Sequence, residues 1–366
     1  RLVLARMSQK YYKYYLRYVR FEPQSSTSGN EINMKKIAIN GLGRIGKLLL
    51  RRLFDVGLGE NVVLLNDLNS DSKIHAHLIE FDTVHGRWKN KIESSRGIIR
   101  VNNFDISLTG YEEKKLLNSD KNIDLVIDCT GSIISSADAH EYFESQIKQV
   151  LVSAPVKDEG ALNIVYGVNH ELYKAQENMV FTAASCTTNC IAPVIKVLHE
   201  EIGIIHGSIT TIHDVTNTQT IVDRPAKDLR RARSALNSLI PTTTGSATAI
   251  SHIFPDLRGK LDGHAVRVPL LNASLTDCVF ELKKPTTKEE INEKFRSAAD
   301  SYLNEILGYE DRPLVSADYT HDSRSAIIDG PSTMVINETQ VKVYAWYDNE
   351  WGYVCRMVDI VKMMLN

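Results

Sequence analysis

Cys186 and His213 are the residues of this chain best suited to covalent chemistry. Cys186 belongs to the stretch Ser185-Cys186-Thr187-Thr188-Asn189-Cys190, which runs straight into the apolar helical segment 191–198. That context puts the thiol near a helix N-terminus, where the helix dipole and unpaired backbone N–H groups favour negative charge. A thiol so placed has a lowered pKa, and its thiolate is a nucleophile. Alone, Cys186 reads equally well as a small buried apolar residue. Cys190 lies one turn on, on the face of Val194, and reads as core. His213 closes the alternating, strand-like segment 208–214. A histidine paired with a cysteine can take the thiol proton, hold the thiolate as an ion pair and later shuttle a proton. On sequence separation alone, a structural histidine is the commoner outcome.

The elements that would position such a pair begin at residues 36–40, a short β-branched strand. Gly41-Leu42-Gly43-Arg44-Ile45-Gly46 follows, and residues 47–54 read as a helix. In a strand–GxGxxG–helix unit the first glycine permits the tight turn and the second lets a pyrophosphate approach. The third allows close helix–strand packing. A second strand, 61–67, ends on Asp67, where a ribose-binding carboxylate is expected. A carboxylate there accepts from the adenosine 2′-OH and repels a 2′-phosphate, so the expected cofactor is NAD rather than NADP. An ordinary strand-end turn residue is the plainer reading of Asp67. Further strands are expected at 98–101, 125–131 and 149–154. Ligands of an open parallel sheet sit outside the carboxyl ends of strands, which makes Thr130, Gly131 and Ser153 cofactor neighbours or else simple turn residues. Cys129 reads as core.

The second half carries the basic run Lys227-Asp228-Leu229-Arg230-Arg231-Ala232-Arg233, then Thr242-Thr243-Thr244-Gly245-Ser246, then Arg267. Guanidinium groups, hydroxyls and glycine N–H groups suit phosphate oxygens. A charge run is usually a solvated loop, and the neighbouring hydroxyl-glycine segments tilt this one toward anion binding. Strands are expected at 263–268, 274–282, 333–336 and 341–347, and a closing helix at 352–365. The fold class is therefore α/β: a Rossmann doubly wound dinucleotide-binding domain plus an α+β catalytic domain with a mainly antiparallel sheet. The expected division is 34–184 for the first domain, 185–349 for the second, and 350–366 for a C-terminal helix packing back on the first.

With 366 residues, 43% of them hydrophobic, and a formal charge of −2, the chain can build two cores and has no bulk attraction for nucleic acid or membrane surfaces. No apolar run approaches the length of a membrane span. Five scattered cysteines read as reduced and cytoplasmic. Residues 1–33 differ: six Lys/Arg, no acid and five tyrosines precede a polar linker. They read as a disordered extension or a non-native translated scrap in preference to a targeting peptide.

Taken together, residues 34–366 resemble the glyceraldehyde-3-phosphate dehydrogenase family. The motifs INGLGRIG, SAPVKDEGALNIVYGVNHELY, AASCTTNCIAPVIKVLHEEIGI, TTIHDVTNTQTIVDRPAKDLRRARSALNSLIPTTTGSA, GKLDGHAVRVP and WYDNEWGY carry the likeness. The resemblance implies that Cys186 is the catalytic cysteine and His213 its partner. It puts Thr216 and Arg267 on the substrate phosphate. Ser185, Thr187 and Thr244 fall on the inorganic phosphate, with Arg231 beside them and Arg230 and Arg233 as alternatives. Arg44 and Ile45 fall on the pyrophosphate turn and Asp67 on the ribose; Asn349 would fix the nicotinamide amide, with Tyr353 packed near it. The implied reaction converts glyceraldehyde 3-phosphate, NAD and inorganic phosphate to 1,3-bisphosphoglycerate through a thioester, in a homotetramer.

The sequence also departs from the family's commonest pattern. Ser107-Leu108-Thr109-Gly110-Tyr111-Glu112-Glu113 stands where an ERDP-like stretch often follows the third strand, and His213-Asp214-Val215-Thr216 replaces an aromatic-bearing turn. FDTVHGRW, HDVTNTQT, VPLLNASLTDCVFEL and GYEDRPLVSADY resemble a branch tied to arsenic resistance. In that branch arsenate replaces phosphate and gives 1-arseno-3-phosphoglycerate. An erythrose-4-phosphate dehydrogenase and an NAD-binding protein without turnover are the other readings.

Overall fold

Each Rossmann-type crossover here begins with a short apolar strand buried on both faces. β1 (Ile37–Asn40) is buried at every position, and β2 (Val62–Asn66) at all but one. Runs this apolar suit the interior of a parallel sheet covered by helices. The structure, a computed structural model, describes residues 34–118, 121–175 and 179–366. The expectation for residues 1–33 lies outside the described residues.

The first sheet has nine strands in the order β3-β4-β5-β2-β1-β6-β7-β9-β8. Here β3 is Ile92–Ser95, β4 Ile98–Val101, β5 Phe104–Thr109 and β6 Leu125–Asp128; β7 is Gln149–Val152, β8 Ala161–Asn163 and β9 Met179–Thr182. All neighbours are parallel except the β3–β4–β5 meander. The chain order reverses on either side of β1, so the carboxyl end of β1 is the crevice where such sheets bind ligands. Helix α1 (Arg44–Asp55) starts there. Residues 98–101 do form a strand, but an antiparallel one. The parallel neighbour of β2 is β5, because Asn102, at φ +54°, turns the chain back on itself. Ser107 to Thr109 are thus strand, not the stretch after it.

The second sheet has the order β11-β12-β10-β13-β17-β15-β14, with β16 beside β17. Its strands are β10 (Ile204–His213), β11 (Ile240–Thr243), β12 (Leu261–Arg267) and β13 (Ser274–Leu282), then β14 (Leu307–Glu310), β15 (Ala326–Asp329), β16 (Met334–Ile336) and β17 (Gln340–Tyr347). Only β10–β12 and β14–β15 are parallel, so the sheet is mainly antiparallel. Helix α4 (Cys186–Glu201) follows the short helices α2 (Ser72–Glu80) and α3 (His140–Glu144). It packs on β10, β13 and β17 and is buried nearly all round, as its apolar sequence requires. Helices α5 (Ser246–Ile253) and α6 (Lys288–Ala299) flank it. The last helix, α7 (Trp351–Leu365), shares one core with α1 and the first sheet, where Val354, Val358 and Val361 join Leu49 and Leu53. No helix among the described residues is long and apolar enough to cross a membrane.

Candidate active site

Cys186 is the first residue of α4. Ser185 caps that helix, its Oγ accepting the Thr188 N–H at 3.1 Å. The thiol therefore sits in the first turn, among backbone N–H groups that favour an anion. His213 is the last residue of β10 and lies opposite Arg267, the last residue of β12, in the parallel register. The His213 Nε2 is 3.6 Å from Cys186 Sγ, and its Nδ1 is 2.8 Å from Asp214 Oδ1. Burial alone would raise the Cys186 pKa, but the hydrogen bond and charge of His213 bring it below the ordinary thiol value. Burial alone would lower that of His213, yet its contacts with Asp214 and Cys186 push it up to about 9. Both shifts favour the thiolate–imidazolium form of the pair. Cys190, by contrast, is fully buried beside Thr276, its thiol pushed well up by burial.

Hydroxyl and guanidinium groups suited to an anion gather around this pair. Ser185 Oγ lies 3.4 Å from Ser246 Oγ, which accepts from Thr244 Oγ1 at 3.1 Å; Gly245 precedes α5 between them. Arg267 donates through Nη1 to the Asp214 carbonyl at 2.9 Å, and its Nε is buried with no partner. Burial lowers the Arg267 pKa, with Arg231 among the charges acting on it. Arg231 donates to Thr242 Oγ1 at 2.9 Å, while Arg233 pairs with Asp223 and Arg230 with the Pro241 carbonyl. Of the three arginines, Arg231 is thus the one turned toward Thr242 and Arg267. Thr216 lies in the exposed turn after His213, bonded to Gln219. Thr187 points inward, its hydroxyl 3.0 Å from that of buried Tyr347.

The cofactor edge is built from the first sheet. Gly41 has φ +93°, open only to glycine at small cost. A Cβ at Gly46 would strike the Gly41 carbonyl, whereas one at Gly43 would meet no protein atom within 4 Å. Packing explains the third glycine. The second has room beside it at a helix start, which fits a pyrophosphate. Asp67 Oδ2 accepts the Leu42 N–H at 2.7 Å, which fixes its carboxylate against the glycine turn. Thr130 bonds to Asp128 at 2.7 Å, Gly131 turns the chain at φ +73°, and the Ser153 N–H caps β6 at the Asp128 carbonyl. Asn349 Oδ1 accepts from Ser274 at 3.0 Å, and the Tyr353 hydroxyl donates to the Ala184 carbonyl at 3.2 Å. Ile45 packs on the first core, with Cys129, only partly buried, at its edge. The Arg44 side chain is engaged elsewhere: it is spent on Asp82 and Glu350, so only its backbone faces the turn.

A profile of the glyceraldehyde 3-phosphate dehydrogenase NAD-binding domain matches residues 35–136, and one of the C-terminal domain matches residues 185–349. Glyceraldehyde-3-phosphate dehydrogenase 3 of Nostoc sp. is 54% identical over 329 residues, 89% of this chain and 97% of that protein. The chain belongs to the glyceraldehyde-3-phosphate dehydrogenase family. Glyceraldehyde-3-phosphate dehydrogenase 1 of Bacillus cereus is 46% identical over 332 residues, covering 90% of this chain and 98% of its own. The Geobacillus stearothermophilus protein named glyceraldehyde-3-phosphate dehydrogenase is 44% identical over 329 residues, 89% and 96% of the two chains.

Several residues of this dehydrogenase-family site were not singled out from the sequence. Asp214 touches the imidazole, and the Tyr347 ring stands nearly perpendicular to that of His213 with centroids 6.1 Å apart. Beneath the cofactor edge a buried polar chain runs Thr109–Asn66–Asn40–Tyr142–Asp128, locking four neighbouring strand ends. A carboxylate directly following the expected histidine was the available signal for Asp214.

Proposed function

We propose that the chain oxidises glyceraldehyde 3-phosphate to 1,3-bisphosphoglycerate with NAD and inorganic phosphate. The observation that carries this reading is the 3.6 Å contact between Cys186 Sγ and His213 Nε2 in the first turn of α4. The Cys186 thiolate attacks the aldehyde carbon, forming the C–S bond as the carbonyl electron pair moves onto oxygen. His213 gives that oxygen its proton, then takes it back when the hemithioacetal collapses to the thioester. Bound NAD supplies the acceptor for the hydride that leaves the substrate carbon. A phosphate oxygen then attacks the thioester carbon, and Cys186 leaves as thiolate, stabilised by the His213 imidazolium.

In this reading Arg267 and Thr216 hold the phosphate already on the substrate; the unpartnered Arg267 Nε supports that role. Ser185, Thr187, Thr244 and Gly245, with Arg231, receive the incoming phosphate, supported by the linked hydroxyls of Ser185, Ser246 and Thr244. Arsenate, alike in charge and shape, enters the same subsite. The turn of Gly41 and Gly43 with the backbone of Arg44 and Ile45 would hold the pyrophosphate, Gly46 packing behind it against the Gly41 carbonyl. Asp67 holds the ribose. Thr130, Gly131 and Ser153 line the cofactor edge, with Asn349 and Tyr353 at the nicotinamide. Residues 34–184 form the cofactor domain, 185–349 the catalytic domain and 350–366 the returning helix. Exposed Ile221, Val222, Leu229, Leu236 and Leu239 suit burial in a homotetramer, and five free cysteines suit the cytoplasm. Purified chain makes NADH from the aldehyde only when NAD and phosphate are both present. Undiminished turnover in Cys186→Ser overturns the mechanism.

A further inference from the structure

Asp214 is a buried carboxylate in an unusual position. Its side chain is 1% exposed, and Oδ1 lies 2.8 Å from His213 Nδ1. Oδ2 is buried and makes no close hydrogen bond; burial pushes the Asp214 pKa up, opposed first by His213 and then by the Asn349 side chain. A carboxylate taken out of water and left half unsatisfied needs a counter-charge close by. The group able to supply one in direct contact is the His213 imidazolium. We infer that Asp214 is a positioning residue that turns the Cys186–His213 pair into a Cys–His–Asp relay. This rests on Cys186 being the nucleophile.

The geometry decides which proton state the ring adopts. Nδ1 is within reach of two acceptors, Asp214 Oδ1 at 2.8 Å and the Asp214 carbonyl at 2.9 Å. It also lies 2.6 Å from a donor, Arg267 Nη1. One nitrogen cannot serve all three. Arg267 Nη1 also donates to the Asp214 carbonyl, whereas Asp214 Oδ1 is satisfied by the ring only if Nδ1 carries the proton, and a buried carboxylate is the costlier group to leave unpaired. Nε2 then faces Cys186 Sγ as the atom that exchanges protons with it. The groups around the ring from each packed element are Cys186 on α4, Arg267 on β12 and the Tyr347 ring on β17, with Glu350 acting on Asp214 by like charge. Arg267 works against the imidazolium, Asp214 and the thiolate work for it, and the balance keeps it charged. Without the Asp214 carboxylate, Arg267 becomes the nearest charge facing Nδ1. The proton then returns from imidazole to sulfur, and the thiol ionises only at higher pH.

The test is the pH profile of iodoacetamide alkylation at Cys186 in the full chain, wild type against Asp214→Asn. Neutralising the carboxylate slows alkylation at pH 7 by about tenfold, the factor of one pKa unit, with the wild-type rate regained at alkaline pH. A purely structural defect changes the rate at every pH. Superimposable profiles overturn the proposal. NAD binding by the variant reports that it is folded. Should it not fold, nitrogen NMR of the wild-type His213 ring reads the same point, and an unprotonated Nδ1 at neutral pH overturns the relay. Alkylation needs no aldehyde, so this outcome is separate from whether the chain oxidises glyceraldehyde 3-phosphate.

Discussion

Arg44 and Glu350 stand 306 positions apart, yet they meet in a two-pronged ion pair, Nε to Oε1 at 2.8 Å and Nη2 to Oε2 at 2.5 Å. The same guanidinium binds Asp82, so one side chain ties the first turn of α1 to the start of α7 and to the turn after α2. Replacing Arg44 by Met leaves two mostly buried carboxylates facing each other. That destabilises the fold by about 1–3 kcal/mol, with the site's partial exposure keeping the cost at the lower end of buried pairs. Urea unfolding of the variant measures it.

The same pair sets an acid limit. Burial would raise the Glu350 pKa, but hydrogen bonds from Arg44 and His85 hold it below the ordinary value; Asp82 is lowered in the same way, with Arg44 opposing burial. A depressed folded pKa means stability present above the unfolded pKa and lost as pH falls through the folded one. Melting temperature should therefore fall as pH drops below the usual carboxylate range, and fall less steeply in Arg44→Met. Equal acid slopes in both proteins count against the clasp.

His213 should set the alkaline limit of activity. Its pKa, pushed up to about 9, keeps the imidazolium charged through neutral pH. Turnover should hold from neutral to mildly alkaline pH and decline above about pH 9 as the acid is lost. His213→Asn removes proton transfer while preserving NAD binding, and kcat falls by about a hundredfold or more. A variant with wild-type kcat would show that another group moves the proton.

Asp67 closes β2 with one carboxylate oxygen fixed on the Leu42 N–H and the other on the Asn69 N–H. Its charge borders the glycine turn, where a carboxylate would repel a 2′-phosphate and accept from a ribose hydroxyl. Asp67→Asn keeps the shape and removes the charge. The KM for NAD should rise by about tenfold, the effect of losing a hydrogen bond to a charged group, while discrimination against NADP shrinks. Steady-state rates with the two cofactors check both.

Local pattern made part of this visible. The apolar run after Ser185-Cys186 marks α4 and puts the thiol in its first turn, and the strand–glycine–helix unit is where it is expected. What escapes is whatever depends on register between distant strands. Arg267 meets His213 because β10 and β12 pair in parallel, which neither segment shows by itself. The Thr187 hydroxyl meets that of Tyr347, a contact between α4 and β17 that neither stretch of sequence reveals alone. The Asn40–Tyr142–Asp128 chain joins β1 to β6 through a side chain of α3, a contact that no one segment shows by itself. Helix α6 did carry a signal, the Thr287/Glu290 capping box.

The two glycines of the turn should separate folding from cofactor binding. At Gly46 a Cβ would press on the Gly41 carbonyl, which is backbone and cannot yield cheaply. Gly46→Ala must push α1 away from β1 and disturb the core that Leu49 and Leu53 share with α7. Overpacking of this kind destabilises by about 1–3 kcal/mol. At Gly43 the added methyl meets no protein atom within 4 Å, and its backbone is at φ −71°, which alanine accepts. Gly43→Ala should therefore melt like the wild type, because nothing in the protein opposes the methyl. It should nonetheless bind NAD more weakly, because the methyl occupies the space the pyrophosphate needs at the start of α1. Calorimetric melting with and without NAD gives both numbers for both variants. Normal NAD affinity in Gly43→Ala would place the pyrophosphate away from this turn.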